Sequence, residues 1–329
     1  MTTPLSTRWR RYLRRLKVSP GGDSFWDAAV RKIRTRGGSP RDVSMPPGVL
    51  FFENLYLWER AVMEPISGRR QDTPVDWFFR CFVEVPAGRV LSLSCGTGFW
   101  ERRISEMGFA DRIDAFDLSP ACLEWARELA SGRRLDNISY FPADINTVRL
   151  EPDLYDCAIS VAALHHVSNL EHVFAEVAGA LKPGGLFFFD EYIGPNRMQW
   201  TDRVLEETNR LLAGFPRRYR RMVSGGVKTA EERVPVEKMI ETDPSEAVRS
   251  KEIIGLAGEY FDIAEKREYG GAILMPLFMN IIGNFDAGRA EDREILDRCL
   301  ERERSLLAAG EIPANGAVVV CRKKSRDGE

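Results

Sequence analysis

Apolar residues along this chain fall into short unbroken runs, each followed by a longer stretch with helical spacing of apolar and polar positions. Val90-Leu91-Ser92-Leu93 is one run. It ends in the small-residue turn Ser94-Cys95-Gly96-Thr97-Gly98, and the amphipathic Phe99-Trp100-Glu101-Arg102-Arg103-Ile104 comes next. That order reads as a buried strand, a tight turn and a helix start. Further strands are expected at Arg112–Asp117, Ile138–Asp144, Tyr155–Val161 and Leu186–Asp190. A helix is expected at about Ser168 to Leu181, closed by Lys182-Pro183-Gly184-Gly185. Strands alternating with helices predict an α/β fold with a parallel, doubly wound, Rossmann-like sheet. Runs with little internal alternation fit strands covered on both faces. Two distal strands, near Tyr260–Tyr269 and at Ala317–Lys323, bring the expected total to about seven, mostly parallel.

The flanking pattern divides the chain further. Residues 1–48 read as a basic N-terminal extension with loops at Gly37–Pro40 and Met45–Gly48. In its Arg8–Lys17 block, Trp9, Tyr12, Leu13 and Leu16 share one helical face. Such a face suits an anionic membrane surface, a second subunit or the domain itself. Residues 49–85 are rich in aromatics and read as a helical cap beside a core at 86–195. Residues 196–258 read as a helical insertion covering a substrate, and 259–329 as the last strands and helices of the core. Within these, Arg217–Arg221 is a basic cluster, Gly270–Ile282 an apolar buried helix, and Glu291–Leu307 a charged helix with one apolar side.

Composition narrows the function classes. At 329 residues the chain can bury one elaborated domain. A formal net charge of -2 and no appended RNA-binding motif count against a nucleic-acid partner. No apolar stretch is long enough to span a bilayer, and no apolar signal core is seen near Met1. The six cysteines form no Cys-x-x-Cys pair, which argues against a zinc site or a disulfide framework and for a cytoplasmic setting. No metal site is expected.

The candidate chemistry gathers where strands end. In an open α/β sheet, ligands bind outside the carboxyl ends of the strands. Gly96 and Gly98 allow close backbone approach to a ligand there. Asp117, about 20 residues on, can accept the hydroxyl protons of a ribose. Asp144 can accept from an exocyclic adenine amine or simply close a turn. His165 and His166, two of only three histidines, follow the fourth strand. A neutral imidazole there can take a proton from an attacking hydroxyl, or merely bond to backbone. His172 is expected to be exposed. Beyond the fifth strand, Glu191 and Tyr192 reach the same edge. Arg197 either clamps an anionic substrate or pairs with Glu191, and Trp200 is a stacking wall or core.

Together the glycine turn, Asp117, Asp144, Tyr155-Asp156 and Lys182–Gly185 resemble the class I S-adenosylmethionine-dependent methyltransferases, within a bacterial type 11/12-like branch. The resemblance covers residues 85–195 best. It implies S-adenosylmethionine as cofactor, held by Ser94, Cys95, Gly96, Gly98, Asp117, Leu118, Asp144, Ile145 and Val161. By similarity to small-molecule O-methyltransferases, His165 is the candidate base. His166, Glu191, Tyr192, Arg197 and Trp200 are then candidates for substrate binding. Two positions depart from the pattern. Ser92 stands where the family usually has an acid, so the cofactor's amino group must rely on backbone carbonyls or Glu101. Ser94 stands where it usually has glycine and must avoid positive φ or bear strain. The expected activity is methyl transfer to an oxygen, with nitrogen or carbon less favoured, of a small or lipid- or sugar-linked acceptor. The alternative is a scaffold that binds the cofactor without turnover. RNA methylation fits less well, and a nicotinamide enzyme less still, since the leading and third glycines of that fingerprint are missing.

Overall fold

A computed structural model describes residues 51–325. The basic block at 8–17 and the loops expected at 37–48 lie outside the described residues. Seven strands form one sheet: β1 (Val90–Leu93), β2 (Ile113–Asp117), β3 (Ile138–Pro142), β4 (Tyr155–Val161), β5 (Leu181–Tyr192), β6 (Phe261–Tyr269) and β7 (Gly316–Lys323). Their order is β3-β2-β1-β4-β5-β7-β6. The first five are parallel, and β7 inserts antiparallel to both β5 and β6. Register is fixed at the centre, where Val90 faces Ile113 on one side and Cys157 on the other.

Side-chain alternation along the central strands builds two cores. Val90, Ile159, Phe188, Val318 and Val320 enter one. Leu91, Ala158, Phe187, Phe189 and Val319 enter the other. Helices cover both faces, so the strands read as apolar runs.

Helices join the strands as expected. A first helical segment runs from Leu55 through one π turn to Ser67, and α1 spans Pro74–Phe82. A capping box between Thr73 and Asp76 starts α1. Then come α2 (Phe99–Glu106), α3 (Pro120–Ser131), α4 (Leu170–Ala180), α5 (Asp202–Ala213), α6 (Val236–Thr242), α7 (Ile253–Tyr260), α8 (Leu274–Phe278) and α9 (Ala290–Ala308).

Several boundaries differ from the sequence reading. β5 opens at Leu181, which pairs with Tyr155, and pairing resumes only at Leu186 opposite Cys157. Lys182–Gly185 is therefore a bulged excursion within the strand, with Gly184 at φ +73°. The apolar 270–282 stretch is largely buried, but only Leu274–Phe278 is α-helical. Its start is held by the buried Glu303 carboxylate of α9, which accepts from Gly271 N, Ile273 N and Leu274 N at 2.6–3.0 Å. The aromatic cap meets the sheet face rather than the cofactor turn alone: Phe78 stacks on Phe188 at 4.9 Å, and Asp76 pairs with Arg103 of α2.

Candidate functional site

Because β1, β2, β4 and β5 run parallel, their carboxyl ends deliver the β1 turn, Asp117, the histidines and Glu191 to one edge. The β1 turn is held in left-handed conformations by Ser94 (φ +49°), Gly96 (+54°) and Gly98 (+73°). Ser94 therefore bears the strain that glycine would avoid. At Gly98 a Cβ would come within 2.9 Å of the Tyr140 ring, so only glycine fits. Asp117 ties the turn to the second strand: Gly96 N donates to Asp117 Oδ2 at 2.8 Å, and Ser119 N to Oδ1 at 2.9 Å. Ser119, not Asp117, caps α3 by accepting from Cys122 N. Asp144 closes the turn after β3, its Oδ1 accepting from Asn146 N at 2.9 Å. Nearby Leu118 is exposed, while Ile145 and Val161 pack partly into the cores.

The departure at Ser92 is answered from α2. Glu101, fully buried, turns back so that Ser92 Oγ donates to its Oε1. Its Oε2 is buried with no hydrogen bond, as is Tyr140 Oη beside Gly98. Burial pushes the Glu101 carboxyl up to about 7, although the Ser92 hydroxyl pulls it down. A buried carboxylate oxygen without a partner costs free energy. It also marks where a cationic ligand group would be held.

Two strands away, Glu191 at the end of β5 is buried and fully committed. Ala163 N, Leu164 N and His165 Nδ1 all meet its carboxylate, the last at 2.7 Å. It therefore positions the β4 loop. His165 is 9% exposed, with Nε2 3.8 Å from Glu246 Oε1. Burial opposes a charge on His165, but the Glu191 carboxylate outweighs it and raises the ring to about 9. His166 is pushed down by burial and by His165, and its Nδ1 meets Ser245 Oγ at 3.1 Å.

Two sequence expectations change here. Arg197 does not pair with Glu191. Its guanidinium donates to the Pro244 and Glu246 carbonyls at 2.7 and 3.0 Å, because the 243–249 segment folds over it. His172 is half-buried, with Nε2 2.8 Å from the Val148 carbonyl oxygen. His165, His166 and Glu246 offer ligand atoms within 4.8 Å of one another, a grouping the sequence reading did not include. Glu246 escaped the sequence reading because 80 residues and no periodic signal separate it from His166. Tyr192 and Trp200 are buried and meet edge to face at 6.2 Å, with Tyr192 Oη donating to the Pro195 carbonyl. They form a wall behind His165, whose ring is 6.3 Å from Tyr192.

Residues 90–185 match the family model described as a methyltransferase domain. The core of this chain is a class I S-adenosylmethionine-dependent methyltransferase domain. Over 105 residues the domain is 32% identical to a malonyl-[acyl-carrier protein] O-methyltransferase of Chlorobium phaeovibrioides, covering 32% of this chain and 40% of that protein. Over 145 residues it is 30% identical to a sterol 24-C-methyltransferase of Candida albicans, covering 41% of this chain and 37% of that protein. The chain thus spans about two fifths of the length of these curated relatives. Among solved structures, the cyclase SpnF has a TM-score of 0.53 at 15% identity, over 94% of this chain and 98% of that one. At that identity the likeness is one of fold. The matched range contains the glycine turn and both strand-end acids, while Glu191, the partner of His165, lies beyond it.

Proposed function

We propose that the protein transfers the sulfonium methyl group of S-adenosylmethionine to an oxygen of a small or lipid- or sugar-linked acceptor. The observation that carries this reading is the Glu101 oxygen, buried without a partner beside a turn that Asp117 braces from the other side. Both acids suit the cofactor: Glu101 would hold its ammonium group and Asp117 its ribose hydroxyls, with Asp144 toward the adenine amine. Gly96 and Gly98 leave the backbone approach clear. When bound, the cofactor supplies an electrophilic methyl group for in-line displacement.

The chain's own residues then have mainly to align the acceptor. His165 is the group best placed to meet an acceptor oxygen on the neighbouring strand end. At neutral pH its ring is charged and donates a hydrogen bond that orients the oxygen. It takes the acceptor's proton only after losing its own. Glu191 fixes the ring plane, and Tyr192 and Trp200 back it. The O-methyltransferase and C-methyltransferase relatives leave acceptor chemistry to experiment. Calorimetric titration with S-adenosylmethionine and S-adenosylhomocysteine tests the cofactor claim, with Asp117→Ala as control. Methyl transfer in an acceptor screen tests the activity. Tight cofactor binding without turnover on any acceptor class would favour the scaffold instead.

A further inference from the structure

We propose that His165, His166 and Glu246 form a binding site for one divalent transition-metal ion of zinc-like ligand preference. Two imidazoles and a carboxylate are a donor set that such ions take, with a further position left for water or substrate. The three residues offer ligand atoms within 4.8 Å of one another. Each is oriented as a ligand would be. His165 Nδ1 is 2.7 Å from Glu191, which leaves Nε2 to face Glu246. A metal-bound histidine commonly gives its other ring nitrogen to a carboxylate in this way. His166 Nδ1 meets Ser245 Oγ, which in turn donates to Asp243 Oδ1 at 2.6 Å. Glu246 Oε1 is buried, accepts no hydrogen bond and lies 3.8 Å from His165 Nε2. An oxygen in that state is costly unless a cation or donor reaches it.

Charge points the same way. Glu191, Glu246 and Asp243 surround two imidazoles, an excess of negative charge that a divalent ion offsets. Binding requires both ligand nitrogens to be free of protons, so the ion displaces the His165 Nε2 proton to solvent. His166 and Glu246 are only half-buried, which leaves a route by which an ion could enter. In the metal-bound state the ion, in place of the His165 ring, would meet the acceptor's oxygen, and that part rests on the proposed function. The binding of the ion does not.

The test uses the full chain after chelator treatment, titrated with Zn²⁺ by calorimetry and with Co²⁺ by visible absorption. One ion per chain is expected, with a cobalt spectrum of nitrogen and oxygen ligation. Glu246→Gln and His166→Asn should each weaken binding at least about 10-fold. Glu191→Gln, acting through His165, should weaken it about 10- to 100-fold. No binding, a thiolate-type cobalt spectrum, or unchanged affinity in both ligand variants overturns the site. Far-ultraviolet circular dichroism and thermal unfolding of each variant report its folding, and if one fails to fold, the other and the wild-type spectrum decide. Metal binding without cofactor binding would sink the proposed function and leave this site standing; the converse would sink this site alone.

Discussion

The Ser92 hydroxyl of β1 donates to Glu101 Oε1 of α2, and the other Glu101 oxygen is left buried without a partner. A carboxyl from the next helix thus stands where the first strand lacks one. Its pKa, pushed up to about 7 by burial, makes it neutral in mild acid. Cofactor affinity should therefore rise about 10-fold between pH 6 and pH 8, as the carboxylate that holds an ammonium group ionises. Glu101→Gln should bind weakly and lose that pH dependence in calorimetry. Folding stability carries the opposite sign. From about pH 4.5 to 7 the folded state keeps a proton that the unfolded chain has lost, so this group's contribution falls as pH rises.

Asp117 accepts from Gly96 N and Ser119 N, and so shapes the turn besides its proposed contact with a ribose. Asp117→Ala should weaken S-adenosylmethionine binding about 10- to 100-fold, the scale of lost hydrogen bonds to a charged group. Unchanged affinity would mean that the cofactor does not sit on this turn.

Gly98→Ala places a Cβ against the Tyr140 ring at a φ of +73°. The variant should lose about 1–3 kcal/mol in urea unfolding, from strain and crowding together. In a Tyr140→Ala background the Gly98→Ala change should cost less, the backbone part alone. If it costs as much there as in the wild type, the Tyr140 contact carries none of the cost.

How far the sequence shows this architecture depends on the distance over which each signal acts. β1, β2 and β4 were legible because each is a local apolar run buried on both faces. The start of β5 was not, because the Lys182–Gly185 excursion hides the pairing of Leu181 with Tyr155. The placing of Asp117 and the glycine turn at neighbouring strand ends could be read from the strand pattern. The roles of Arg197, Glu191 and Glu246 could not, since each depends on where the 243–249 segment or the β4 loop comes to rest. Ionic residues near a site look alike in sequence whether they face a ligand or a backbone carbonyl.

Arg197, itself at φ +55°, ties the 243–249 segment through two carbonyl oxygens, while Val248 N donates to the His165 carbonyl. Arg197→Ala should loosen this cover. Amide exchange across 243–249 should quicken and the acceptor KM should rise several-fold, with cofactor affinity unchanged. If only anionic acceptors are affected, Arg197 acts as a substrate clamp and the cover role is wrong.

β7 lies between β5 and β6, yet it is made after both. During synthesis the edge of β5, with Leu186-Phe187-Phe188-Phe189, must wait some 120 residues for its antiparallel partner, and β6 waits as well. A nascent chain halted before Gly316 therefore carries an unpaired, phenylalanine-rich strand edge, the kind of surface that recruits other chains. Chaperone demand and aggregation in cell-free translation should thus depend on where synthesis stops, and should drop sharply once residues 316–323 can join the sheet.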